Sequence, residues 1–218
     1  MINFTNGPLI MQGACTSLIL WLLALCISTS LGTIIGVLQS GYIPCPLGIR
    51  LLLNGVTRVL RGIPFYLQLL IMYFVIPLCT GCSLSAFTAS VVALGLCSSA
   101  YVGQIICGGI QAYDQSLWEM TQLLGYSRYQ AMRYLVLPQV FRKNLLALSG
   151  EVDQLIKTTA VCSTIGVLDL MGVTRNIIAR EMNPVSMYLL TAVLFLGIST
   201  GWHVFVGWLQ RRISYAKA

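Results

Sequence analysis

Residues 114–138 read DQSLWEMTQLLGYSRYQAMRYLVLP, the one extended polar interval in a chain that is otherwise nearly all hydrocarbon. Their pattern predicts two short helices joined at a glycine. Ser116 and Glu119 make an S-x-x-E capping box that would start the first helix. Gly125 sits where a left-handed residue would end it. Ser127 and Gln130 make a second box, S-x-x-Q, and would start the next helix. Pro138 lacks an N–H and restricts the residue before it, so a break is expected at or soon after the second helix's end. Together these pieces read as a surface knob that something else grips.

Composition sets the surroundings of that knob. The chain has 218 residues, 57% of them hydrophobic and only 9% charged. A soluble domain is roughly a quarter charged. The sequence is therefore expected to be an all-α polytopic membrane protein, one domain over residues 1–218 with about five spans. The spans are expected near 15–39, 57–79, 84–109, 139–163 and 184–209, with the knob between the third and fourth.

A net charge of +7 invites a nucleic-acid reading, but the basic residues cluster at the ends of apolar runs. In this layout ten of the thirteen Lys and Arg fall on one side: Arg50, Arg58, Arg61, Arg128, Arg133, Arg142, Lys143, Arg211, Arg212 and Lys217. Arg175 and Arg180 fall on the other, and Lys157 lies within a span. The positive-inside rule makes the first side cytoplasmic and the N-terminus external. The run Leu18–Leu38 is too long for a signal-peptide core and lacks a basic flank, so it reads as an uncleaved first span. Its Ser28, Thr29, Ser30, Gly32 and Gly36 suit close helix packing.

Eight cysteines lie mostly inside spans, where they act as small apolar residues. Cys79 and Cys82 share an expected outer loop, either as a disulfide or as two plain thiols. With His203 the only histidine and no second cysteine pair nearby, no metal site is expected.

Three ionisable residues also fall in GEVDQLIKTT, residues 150–159, well inside the fourth span. An ionisable residue at mid-membrane costs on the order of 3 kcal/mol on insertion scales, so these should face protein or water. At about 100° per residue, Asp153 and Lys157 share one face in the favourable acid-first order, a structural ion pair. Glu151, Gln154 and Thr158 line a different face, and Glu151 has no local partner. Glu151 either faces a translocation path or meets Arg142 or water near the span's end. Gln68, polar inside the second span, either makes an interhelical hydrogen bond or joins the path.

The spacing of the knob also carries a family resemblance. Glu119, Gly125 and Leu135-Val136-Leu137-Pro138 resemble the EAA loop of bacterial ABC-importer membrane subunits: Glu-Ala-Ala, three residues, Gly, nine residues, Ile-x-Leu-Pro. Every interval matches; Met120 and Thr121 replace the two alanines. Arg61-Gly62-Ile63-Pro64 with Gln68-Leu69 resembles the Arg-Gly-Thr-Pro-x-x-x-Gln-Leu signature of polar amino-acid permeases, with Ile63 for Thr. Residues 150–159 resemble that subgroup's Gly-Asn-Glu-x5-Lys-Asp-Thr stretch, with Glu151 and Lys157 matching and Thr158 in place of the Asp. The Glu and Arg usual near Gln104 and Cys107 are absent.

The resemblance implies a membrane subunit of an ATP-driven importer in the bacterial inner membrane, carrying polar L-amino acids such as glutamine or arginine. It implies ATPase coupling through Glu119, Leu123, Gly125 and Pro138, and a pathway drawn from Gln68, Glu151, Gln154 and Thr158. It implies a homodimer or a pair of paralogous permeases, two cytoplasmic ATPases that hold ATP and magnesium, and an external solute-binding protein. The chain itself has no G-x-x-x-x-G-K-[ST] motif, no expected cofactor and no expected nucleic-acid partner. The alternative from another class is an ion-coupled secondary transporter using Glu151, Asp153 and Lys157, although five spans without an internal repeat fit it poorly. A membrane scaffold or sensor is a third.

Overall fold

The computed structural model describes residues 6–113 and 115–215, with side chains undescribed at 115–117 and 213–215. All regular structure among them is helical. Helix α1 runs Gly7–Ser40, α2 Leu47–Gly62, α3 Phe65–Leu70, α4 Ile76–Thr80 and α5 Ala86–Gln111. The knob contributes α6, Gln115–Leu123, and α7, Arg128–Ala131. There follow α8, Leu137–Lys143, α9, Leu145–Thr158, α10, Leu170–Glu181, and α11, Pro184–Tyr215. Three helices (α1, α5 and α11) are each long and apolar enough to cross a membrane, and two bent pairs raise the number to as many as five.

Helix α1 packs along α5 because its small residues recur every third or fourth position. Gly13, Ser17, Leu20, Ala24, Ser28, Gly32, Gly36 and Ser40 are its buried residues. At Gly36 the backbones come so close that a Cβ would lie 2.6 Å from the carbonyl oxygen of Gly103. Of the expected small-residue stripe, Thr29 and Ser30 fall outside the contact, because the helical period turns them away. The Thr29 hydroxyl instead donates to the Leu25 carbonyl at 2.7 Å.

The second expected span, 57–79, is not one helix. The chain bends by 107° between Leu47–Gly62 and Phe65–Thr80. Pro64 explains the break: it lacks an N–H, and it holds Ile63 extended at φ −97, ψ 133. The fourth expected span is likewise composite. It comprises α8, a break at Asn144, α9 and a 3-10 turn over Thr159–Ile165.

Two prolines do not break their helices. Ahead of Pro77 and of Pro138 lies a single wide π turn, Ile71–Val75 and Met132–Val136. In each, the residue before the proline donates to the carbonyl five back, Ile76 to Ile71 and Leu137 to Met132. The extra residue widens the turn that the proline ring would otherwise crowd, and the helix continues. The break expected at Pro138 therefore falls later, at Asn144.

Ahead of the last helix, α10 carries charged residues that are paired rather than left to solvent. Asp169 is fully buried as the α10 N-cap, accepting from the Gly172 N–H at 2.8 Å. Glu181 accepts from Asn6 at 2.6 Å, which ties the start of α1 to the end of α10. Arg175 donates to the Ser163 hydroxyl. Cys79 and Cys82 are exposed free thiols.

Candidate functional site: a polar cavity and a capped knob

The α2–α3 corner and helices α5 and α9 enclose a cavity of about 440 Å³. Pro64 makes the corner, which brings Arg61 and Phe65 to its edge. Cys97, Ser98 and Tyr101 enter from α5, and Glu151, Gln154 and Thr158 from α9. The corner is tied to α5 by the Tyr101 hydroxyl, which donates to the Arg61 carbonyl at 3.4 Å.

The helical wheel of α9 sorts its polar residues as the sequence predicts. Glu151, Gln154 and Thr158 all line the cavity, the Thr158 hydroxyl donating to the Gln154 carbonyl at 2.8 Å. Among the described residues Glu151 forms no ion pair, with Arg142 or any other cation. On another face, Asp153 is buried and bonded to the Lys157 ammonium at 2.5 Å and to the Ser199 hydroxyl at 2.5 Å. His203 Nε2 lies 3.5 Å from the same carboxylate. Asp153 thus ties α9 to α11, while Glu151 is left to the cavity.

Gln68 does not line this cavity. Its amide donates to the carbonyls of Leu60 and Ile63, both at 2.7 Å, and so satisfies the frayed end of α2 at the corner. Sequence reading missed Arg61, Cys97, Ser98 and Tyr101 as cavity residues. The signal for Arg61 was the proline three residues on, which turns its helix end inward.

The knob forms as two capped helices. Gly125 has φ 80, and α6 ends in a Schellman turn with Tyr126 N donating to the Thr121 carbonyl at 3.1 Å and Gly125 N to Gln122 at 3.0 Å. The Ser127–Gln130 box is complete: Gln130 N donates to Ser127 Oγ at 3.3 Å, and Ser127 N to Gln130 Oε1 at 2.9 Å. The Ser116 half of the first expected box lies outside the described side chains. The outer surface is apolar for an exposed element, with Leu123 88% and Leu124 68% exposed, and Met120, Tyr129 and Tyr134 also open. Glu119 and Pro138 are exposed on the same element.

The profile of the family described as binding-protein-dependent transport system inner membrane component matches residues 48–215. A probable amino-acid ABC transporter permease protein, YckA of Bacillus subtilis (strain 168), is 33% identical over 156 residues, 72% of this chain and 69% of that one. The arginine transport system permease protein ArtQ of the same organism is 42% identical over 115 residues, 53% of this chain and 52% of that one. A putative glutamine transport system permease protein, GlnP of Rickettsia conorii (strain ATCC VR-613 / Malish 7), is 36% identical over 123 residues, 56% of each chain. The match thus spans only about half the length of the last two. A solved structure described as an amino acid ABC transporter with histidines superposes with a TM-score of 0.85 at 31% identity, covering 95% of both chains. An inward-facing MetNI methionine ABC transporter shares the fold, with a TM-score of 0.83 at 16% identity over 97% of this chain and 99% of that one.

Proposed function

We propose, because the chain belongs to the family of binding-protein-dependent transport system inner membrane components, that it lines the pathway of an ATP-driven importer of polar L-amino acids. Its N-terminus lies outside and the Asp114–Pro138 knob lies in the cytoplasm, a sidedness that the distribution of basic residues along the sequence supports. Two such permeases, identical or paralogous, form the pathway. Two ATPases grip the knobs through Glu119, Leu123, Gly125 and Pro138, and an external binding protein delivers substrate. ATP closes the ATPase pair, the knobs move with it and the helices rearrange as rigid bodies; hydrolysis resets them.

The observation that carries the substrate reading is the Glu151 carboxylate in the cavity between α5 and α9, which has no ion-pair partner among the described residues. It attracts a substrate ammonium or guanidinium where the low dielectric strengthens the attraction. Arg61, at the cavity's edge, offers the opposite charge for an amino acid's carboxylate. Basic amino acids and glutamine fit this pair. Asp153 and Lys157 serve the fold rather than an ion gradient, because each is already the other's partner.

Uptake of radiolabelled arginine and glutamine into proteoliposomes holding the whole complex tests this reading. Glu151→Gln should weaken uptake of the basic amino acid more than that of glutamine, and Glu151→Ala should impair both. Unchanged affinity and rate in both variants would remove Glu151 from the site.

A further inference from the structure

An aromatic cluster at the base of the knob belongs neither to the cavity nor to the exposed docking face. Tyr42 lies in the turn after α1, just past Gly41 with its left-handed φ of 88. Its ring stacks on Trp118 of α6, with centroids 4.6 Å apart and planes 8° from parallel. Trp118 meets Tyr113, just beyond the end of α5, edge to face at 5.9 Å. The ammonium of Lys143, the last residue of α8, lies 5.6 Å from the centre of the Tyr113 ring. The ends of α1 and α5 therefore converge on one side chain of the knob, and the end of α8 reaches that cluster through Tyr113.

That side chain is 5% exposed, whereas Leu123 and Leu124 of the same short region stand open. Trp118 sits in a core with Ile106, Ile110, Met132, Val136 and Val140. A separate core, which includes Leu94 and Leu155 beside the cavity, lies along the N-terminal half of α5. The knob thus packs into the core at the C-terminal half of α5, while the cavity lies beside the other. Helix α6 has nine residues and α7 four, and the glycine between them offers no side-chain packing. Trp118 of α6, together with Ala131 of α7 and Met132 just beyond it, packs this small element against the long helices.

Resting on the reading of the knob as the ATPase-coupling element, we propose that Trp118 and Tyr42 are positioning residues for coupled transport. Their stack makes the knob one rigid piece with the ends of α1 and α5. Displacement of the knob then moves those helices instead of rocking α6 alone. Among the described residues the Trp118 indole N–H has no acceptor. The joint rests on ring area and ring geometry, so another aromatic ring can serve.

The test is the amount of radiolabelled arginine or glutamine transported per ATP hydrolysed, in the complete complex in proteoliposomes. Trp118→Ala and Tyr42→Ala should each lower that ratio by about fivefold or more, the smallest coupling change typical of linked sites. ATPase capture should persist, and Trp118→Phe and Tyr42→Phe should restore the ratio. The double alanine variant should be no worse than the poorer single one, since both remove one contact. Should Trp118→Ala fail to assemble, Tyr42→Ala decides, because Tyr42 lies outside the helices. An unchanged ratio in an assembled Tyr42→Ala complex would overturn the proposal, as would a ratio that phenylalanine does not restore. Gly125→Pro reads the parent claim separately. Normal capture and hydrolysis in that variant would overturn the docking assignment itself.

Discussion

Glu151 and Asp153 stand two residues apart on α9, and the helix turns them about 200° from one another. That rotation gives one carboxylate a cavity and the other a lysine, a serine and a histidine. The consequences of removing them differ. Asp153→Ala should destabilise the fold by about 1–3 kcal/mol, below the cost of breaking a wholly buried pair because Lys157 is 48% exposed. Thermal unfolding of the detergent-purified chain measures this, and Asp153→Ala with Lys157→Met should recover much of the loss. Glu151→Ala should leave the unfolding midpoint nearly unchanged, since no described partner is orphaned. Gly125 is a second single-residue case. Open space surrounds the position of its missing Cβ, so only backbone conformation opposes a side chain there. Gly125→Ala should therefore cost about 1–2 kcal/mol of local stability. Gly125→Asn should cost less, because asparagine tolerates the left-handed region. Retained binding of the ATPase, compared across the two variants, reports the difference.

Among the elements, those with local punctuation were the most legible. The Ser127 box and the Gly125 terminus follow from side-chain chemistry within a few residues, and both stand where the sequence puts them. Ser127→Ala should loosen α7 by about 1 kcal/mol, the worth of an N-cap, visible as faster amide exchange at Tyr129 and Gln130. The face sorting of α9 was equally readable, because it needs only the helical period. The bends were not. A proline can end a helix, as Pro64 does, or ride on a π turn, as Pro77 and Pro138 do. Which occurs depends on what the neighbouring helices pack against, and that information is not local. For the same reason Tyr101 was invisible as a cavity residue, and only Pro64 hinted at Arg61. They meet only because a 107° corner folds α2 back toward α5. Asp169 shows the limit from the other side: a charged residue in a polar-looking stretch is fully buried as a cap.

At the scale of the molecule, an apolar exterior encloses two cores, and the knob is attached to only one of them. Helix α11 presents Val185, Leu189, Val193 and Leu196 outward, as a helix facing hydrocarbon should. The close seam between α1 and α5 joins the two cores into one lever. Gly36→Val would force the Gly103 backbone away and should cost on the order of 1–3 kcal/mol, seen as a lowered unfolding midpoint and poorer coupled uptake. The direction in which that lever works depends on the side of the membrane that holds the knob. Leu123 is well placed to report it, at 88% exposed on the knob's outer surface. A Leu123→Cys variant in a cysteine-free background can be labelled with a membrane-impermeant maleimide in right-side-out and in inverted vesicles. The account predicts labelling only in inverted vesicles, and protection there once the ATPase is bound. Labelling from the external face in sealed right-side-out vesicles would contradict it.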